Sequence, residues 1–190
     1  MARKYELKRR AERVADTRRR IVEAAVELHT TRGPGQTSIA AIAERAGVQR
    51  HTVYAHFPGE RELFAACSQH WQRANPFPEG RAWAGIADPE RRLRAALDDV
   101  YSWYERVEPA LALFVRDISL VPAQRPLMEA RSAALGALAD GLAQGLPRRR
   151  AVRAAIGHAL EFETWRSLVR RQGLSRRAAV STMVRLATTV

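Results

Sequence analysis

Arg50, His51, Thr52, Tyr54 and His56 fall within seven positions, just after Gly47 and beside Gln49. Each of the five can donate a hydrogen bond, and none is acidic. A guanidinium can donate twice to the O6 and N7 of guanine, while hydroxyl and imidazole groups donate to phosphate oxygens. The chemistry on offer is recognition of a polyanion with readable edges. A polar surface helix without a role would account for Arg50 taken alone, but it accounts less well for the whole set.

A second group lies further along. Asp117 stands between apolar neighbours in FVRDISLV, and His158 and Glu161 are three apart, on one helix face. Aromatic residues also gather after residue 70, among them Trp103, Phe114, Phe162 and Trp165. Ligand pockets are mostly apolar with a few placed polar groups. These seven residues are therefore the candidate ligand-binding set, and the acids suit a cation. Ordinary core packing is the competing reading for each of them.

The elements that must position these groups are helical throughout. Ala, Leu, Arg and Glu dominate, apolar residues recur at helical spacing, and strand-like alternation is absent, so an all-α fold of about nine helices is expected. The first helix is expected from Thr17, capped by Asp16, with Ile21, Ala24, Ala25 and Leu28 inward, ending before Gly33-Pro34-Gly35. Thr37 or Ser38 caps a second helix carrying Ile39, Ile42, Ala43 and Ala46, and Gly47 supplies a left-handed turn.

The third helix, about Arg50 to His56, has Gln49, Val53 and Phe57 on its packing line. Arg50 with Tyr54 and His51 with Ala55 form the opposite line, and Thr52 and His56 the flank. Pro58 opens a fourth helix with Leu63, Phe64, Cys67 and Trp71 inward. The prolines and glycine of NPFPEG, residues 75–80, mark a joint. Beyond it a helix capped by Asp88 is expected to end at Pro109. A long helix opened by Pro147 runs to about residue 173, and Ser175 caps a last one. The second helix, the tight turn and the third form a helix-turn-helix, which presents the start of its second helix to the major groove.

Charge agrees with such a partner. The net charge is +12, which favours nucleic acid first and an anionic membrane surface second. Residues 1–70 carry 13 Lys or Arg against 8 acids, residues 71–147 carry 9 against 10, and residues 148–190 carry 10 against 2. The excess is bipolar, and its C-terminal part is equally well read as a solvated face. The lone Cys67, the charged start and the lack of any long apolar run fit a cytoplasmic protein without a membrane span. A Gly-rich phosphate loop, a G-x-S-x-G elbow and metal-ligand spacing are all missing, so neither enzyme activity nor a cofactor is expected. A sequence-neutral architectural DNA binder, or less readily a small all-α enzyme, remains as an alternative.

The block TSIAAIAERAGVQRHTVYAHFPGERELF, residues 37–64, resembles the DNA-binding region of TetR-type transcriptional regulators. Thr37-Ser38, Ile42-Ala43, Ala46-Gly47-Val48, Thr52, Tyr54, His56-Phe57 and Leu63-Phe64 carry the resemblance. It implies a homodimer with a three-helix DNA-binding head, a connecting fourth helix and a larger helical domain that binds a small molecule. It also implies DNA-backbone contacts for Ser38, Thr52, Tyr54 and His56, and groove contacts for Gln49, Arg50 and His51. Two positions depart from the family pattern. Glu60 stands where a phosphate-gripping Lys is common, leaving that contact to Arg61, and Gln49 stands where a Ser often caps the third helix.

The expected organisation is a basic arm over residues 1–16, a DNA-binding region over 17–74 and a ligand-binding and dimerisation region over 75–190. The arm, with Arg3, Lys4, Lys8, Arg9, Arg10 and Arg13, either lies on DNA or is a solvated tail. The last two helices bear apolar stripes, Val152, Ala155, Ile156, Ala159 and Val169 on one and Val180, Met183 and Val184 on the other. They are suited to a four-helix dimer interface or to packing within the chain.

Overall fold

A computed structural model describes residues 2–147 and 150–189, with side chains from Tyr5 onward. The side chains of Arg3 and Lys4, and Arg148 and Arg149 of the expected long helix, lie outside the described residues. Nine α-helices and no strand occur among the described residues. The chain divides into two compact units, Met1–Pro76 with Pro109–Leu127, and Phe77–Glu108 with Met128–Val190.

The first unit holds α1 (Ala2–Thr31), a 3-10 turn at Pro34–Gln36, α2 (Ile39–Ala46), α3 (Arg50–His56) and α4 (Glu60–Ala74). It also holds the end of α5 (Pro89–Asp117) and a 3-10 turn at Pro122–Gln124. Ile21, Ala25 and Leu28 of α1 meet Ile42 and Ala46 of α2, Val53 and Phe57 at α3, and Leu63 and Cys67 of α4 in one core. The stretch between residues 109 and 127 thus belongs with the first unit, although the sequence reading places everything after residue 74 in one second region.

Asp16 does not cap a helix starting at Thr17. It lies inside α1 and accepts a hydrogen bond from Arg19 at 2.5 Å. Residues 2–16 contain no helix breaker, and Arg9 sits over the Tyr5 ring while Lys8 pairs with Glu12, so the helix continues through the expected arm. Pro109 likewise does not end α5. A proline removes one helical hydrogen bond, and the burial of Val107, Ala110 and Leu111 on both sides outweighs that loss. Pro58 precedes α4, which starts at Glu60.

His29, near the end of α1, is 7% exposed and its ring packs on Phe64. Burial pushes its pKa from 6.5 down to about 4. A base whose charged form is disfavoured by folding leaves stability untouched above its unfolded pKa and lowers it as the pH falls toward the folded one. The first unit is therefore expected to lose about 2 kcal/mol between pH 7 and pH 5 on account of His29. Glu60 shares the same cavity and is exposed. Chemical denaturation of the wild type and of His29→Phe at both pH values checks this: the variant should keep its stability, and an equal loss in both proteins would show that His29 is not the source.

The second unit contains the first part of α5, α6 (Arg125–Leu142) from Met128 onward, α7 (Arg150–Ala159), α8 (Phe162–Arg166), a π-helical turn (Ser167–Arg171) and α9 (Arg176–Thr189). Leu93, Leu97, Tyr101, Tyr104, Ile156, Leu160, Trp165 and Val184 form its interior. The expected long helix is broken at Leu160 and Glu161. There the buried hydroxyls of Tyr101 and Tyr104 donate to the carbonyls of Ala159 and Leu160, at 3.0 and 2.6 Å. These bonds satisfy the carbonyl groups that a helix end leaves open.

Ser175 caps α9 as the sequence indicates, accepting from the Ala178 N–H. The stripe residues Val152, Ile156 and Ala159 of α7 and Val180, Met183 and Val184 of α9 are buried within the single chain. Within the chain α7 and α9 pack on each other, and Ala155 and Val169 of the same stripe remain half-buried. The C-terminal basic excess is partly neutralised inside the unit. Arg153 pairs with Asp140, Arg170 with Glu108, and Arg176 with Asp98 and Glu105.

Candidate nucleic-acid interface

The local chemistry of α2 and α3 accounts for the form of the helix-turn-helix. The Ser38 Oγ accepts from the Ala41 N–H at 3.1 Å and so caps α2. Used as an acceptor, this hydroxyl keeps its own proton for an outside oxygen. Gly47 closes α2 in the left-handed conformation, φ 65°, and the Val48 N–H returns to the Ala43 carbonyl at 2.9 Å. Two residues later Gln49 stands at the N-cap of α3, and its side chain makes no capping hydrogen bond.

On α3, Val53 and the following Phe57 are buried, at 1% and 2% exposure. Arg50, His51, Tyr54 and Ala55 are exposed, and Thr52 and His56 are half-buried on the flank. The outward line read from helical spacing is therefore present in the structure. Gln49 is the exception: it is exposed rather than packed, because it precedes the first turn of α3 and does not lie over its apolar face. Arg61 is exposed in the first turn of α4, next to the exposed Glu60.

Sequence reasoning missed two arginines that hold the motif in place. Arg18 donates to the His56 carbonyl at 2.9 Å and stacks over the Phe57 ring at 4.1 Å. Arg20 donates to the carbonyls of Ala46 and Gly47. Together they tie both ends of the helix-turn-helix to α1. The available signal was the run Arg18-Arg19-Arg20, coupled with the need of each helix C-terminus for donors. Arg45 is also engaged inside the unit, with Glu27 at 2.5 Å. Part of the N-terminal positive charge is thus structural, and Arg50 and Arg61 stand on the exposed surface of the helix-turn-helix and α4.

The candidate ligand residues do not come together as one set. Phe114 belongs to the first unit, where its ring meets Trp71 edge-on at 6.1 Å. Asp117, 1% exposed, is fully engaged: it takes two hydrogen bonds from Arg116, at 2.6 and 2.9 Å, and the Gly35 N–H at 2.9 Å. Arg116 also donates to the Arg32 carbonyl at 2.7 Å. This clasp secures the turn ahead of α2. Arg116 in particular holds the Asp117 carboxyl below its ordinary pKa.

In the second unit Trp103, Phe162 and Trp165 are buried around Tyr104, with ring centroids 5.3 to 5.8 Å from it. The Arg131 guanidinium lies within 6 Å of the Phe77, Trp103 and Tyr104 rings. The Trp165 indole N–H is buried and has no hydrogen-bond partner among the described residues. His158 is exposed beside Thr164, and Glu161 is exposed. No group of three metal-ligating side chains occurs among the described residues, and no described helix is long and apolar enough to cross a membrane.

Residues 21–67 match the family of bacterial regulatory proteins called the tetR family. The HTH-type transcriptional regulator TtgR of Pseudomonas putida is 42% identical over 60 residues, which are 32% of this chain and 29% of that protein. Two solved structures resemble nearly the whole chain. A transcriptional regulator from Rhodococcus sp. Rha1 is 16% identical with a TM-score of 0.62, over 90% of this chain and 93% of the other. The multidrug binding protein EbrR, complexed with imidazole, is 20% identical with a TM-score of 0.60, over 89% and 93%. At these identities the structures share the fold. The chain spans less than a third of the length of TtgR that it matches.

Proposed function

We propose, from the premise that the chain belongs to the TetR family of bacterial transcriptional regulators, that it is a cytoplasmic repressor. In this reading a homodimer binds a near-palindromic operator and is released by a small molecule. The observation that carries it is the division of α3: Val53 and Phe57 are anchored in the core while Arg50, His51 and Tyr54 face outward. Arg50 reads a base, Ser38, Thr52, Tyr54, His56 and Arg61 contact phosphate, and Gln49 and His51 lie at the groove. Two α3 helices, about 34–36 Å apart in a dimer, reach successive major grooves.

In the same reading the effector site is the aromatic group of the second unit, Trp103, Phe162 and Trp165 with Tyr104. The unpartnered Trp165 N–H is supporting, because a ligand acceptor would satisfy it. The fold shared with a multidrug binding protein is also in keeping with a small-molecule site. Through α5, continuous from Pro89 to Asp117, ligand occupancy reaches the clasp at Gly35. A coupling of about 1–3 kcal/mol changes operator affinity roughly 5- to 150-fold.

Selecting bound fragments from a random DNA pool tests the reading, and an inverted repeat with half-sites about one helical turn apart is the expected result. Equal retention of all fragments would favour an architectural binder instead. Tyr54→Phe, which removes one phosphate donor, is expected to weaken binding to every sequence by about 0.5–1.5 kcal/mol without altering base preference. Quantitative gel shifts on the selected site and on single-base variants measure both quantities. A change in preference at one base pair would show that Tyr54 reads sequence.

A further inference from the structure

We infer that the first unit carries a small-molecule site of its own, a cavity of about 200 Å³ suited to an uncharged single-ring phenol. His29 at the end of α1, Thr37, Ile39 and Ile42 around the start of α2, and Leu63 and Phe64 of α4 form its walls with the segment Leu120–Ala123. All of these residues belong to the first unit, apart from the aromatic group placed above as the effector site.

Size sets the first constraint on the ligand. An apolar cavity of about 150 Å³ takes up benzene, so this one has room for a ring with one or two small substituents. Most of the lining residues are aliphatic or aromatic, although polar atoms make up more of the surface they expose to the cavity, and Leu120 is 67% exposed, a large apolar side chain left in solvent beside it. The polar groups set the second constraint. Thr37 already donates its hydroxyl proton to the Gly33 carbonyl at 2.8 Å. His29 is 93% removed from solvent, yet its ring nitrogens have no hydrogen-bond partner among the described residues, its recorded contact being the Phe64 ring at 5.5 Å. A neutral imidazole has one donor and one acceptor nitrogen, and a ligand hydroxyl satisfies either.

Charge sets the third constraint. Burial keeps His29 uncharged at neutral pH, so the cavity offers an anion no cation. Glu60, the acidic residue of the lining, is exposed and further disfavours a carboxylate or phenolate. A molecule seated here touches α2 and α4, the helices that precede and follow α3, so occupancy bears directly on the recognition helix.

The test uses the full-length protein without DNA, so it stands apart from the operator reading. Titration with p-cresol, followed by calorimetry and by the nitrogen and proton resonances of His29, should give saturable binding at one molecule per chain and shift the His29 signals. Toluene, the same ring and methyl group without the hydroxyl, should bind about ten-fold more weakly. In His29→Phe, which keeps a ring against Phe64, p-cresol and toluene should bind alike. Ala123→Phe, which fills the cavity from its wall, should lose both. The inference is overturned if p-cresol fails to saturate the wild type at about 10 mM, if benzoate or benzylamine binds more tightly than p-cresol, or if Ala123→Phe binds as the wild type does. Should His29→Phe not fold, the toluene comparison and Ala123→Phe decide the matter.

Discussion

Gly33→Ala is expected to destabilise the first unit by about 1–3 kcal/mol, a fall in Tm of roughly 5–15 °C for a unit of this size. Gly33 sits at φ 96° and ψ 149°, a backbone region that residues with a Cβ rarely adopt. The added carbon would also collide with the Arg116 guanidinium and the Asp117 carboxylate. To admit it, the clasp must open, leaving a carboxylate that is 1% exposed without the Gly35 N–H and the full grip of Arg116. Asp117 is buried while Arg116 is half-exposed, so the cost falls on the carboxylate, which stays desolvated with fewer partners.

Thermal unfolding monitored in the first unit checks this. A Tm within about 2 °C of the wild type would mean that the turn ahead of α2 is less constrained than its geometry states. The clasp has its own pH window. Because the Asp117 pKa is held below the unfolded value, its contribution persists above the ordinary carboxylate range and fades only as the pH falls through the lowered pKa. The His29 effect begins nearer pH 6.5, so the two can be resolved in one acid titration.

Arg50→Ala should carry the second large effect, a loss of about 1–3 kcal/mol in operator affinity confined to one base pair of each half-site. Its guanidinium is free to reach a guanine edge, because Arg50 is exposed at the first position of α3 and Arg18 and Arg20 already hold the helix-turn-helix to α1. The variant should therefore fold normally and bind with relaxed preference at that pair while retaining the others. A panel of single-base operator variants, measured against wild type and Arg50→Ala at one salt concentration, makes the comparison. An unchanged pattern of preference would assign base reading elsewhere, with His51 and Gln49 next in line. A uniform loss across all sequences would make Arg50 a phosphate contact.

The helix-turn-helix was legible because it is local. Ser38, Gly47 and the spacing of Val53 and Phe57 act within one or two turns, and short-range rules of capping, left-handed turns and helical period are sufficient for them. The last cap, Ser175, was legible for the same reason. Arg18 and Arg20 were not, since nothing in their spacing says which carbonyl, 38 or 26 residues away, will accept their protons. Asp117 looked like an unpaired polar group between apolar neighbours, and only the approach of Gly35 gave it a structural partner.

The chain by itself determined an all-helical fold and a short third helix with a polar outward line, because composition, periodicity and caps need no distant residue to take effect. Tertiary structure decided where helices continue or stop. Buried neighbours carried α5 through Pro109, and Tyr101 and Tyr104 drew carbonyls out of the expected long helix at Ala159 and Leu160. In each case a local preference worth a few kcal/mol met a long-range burial or hydrogen bond of comparable size, and the balance exists only once the distant groups are brought together.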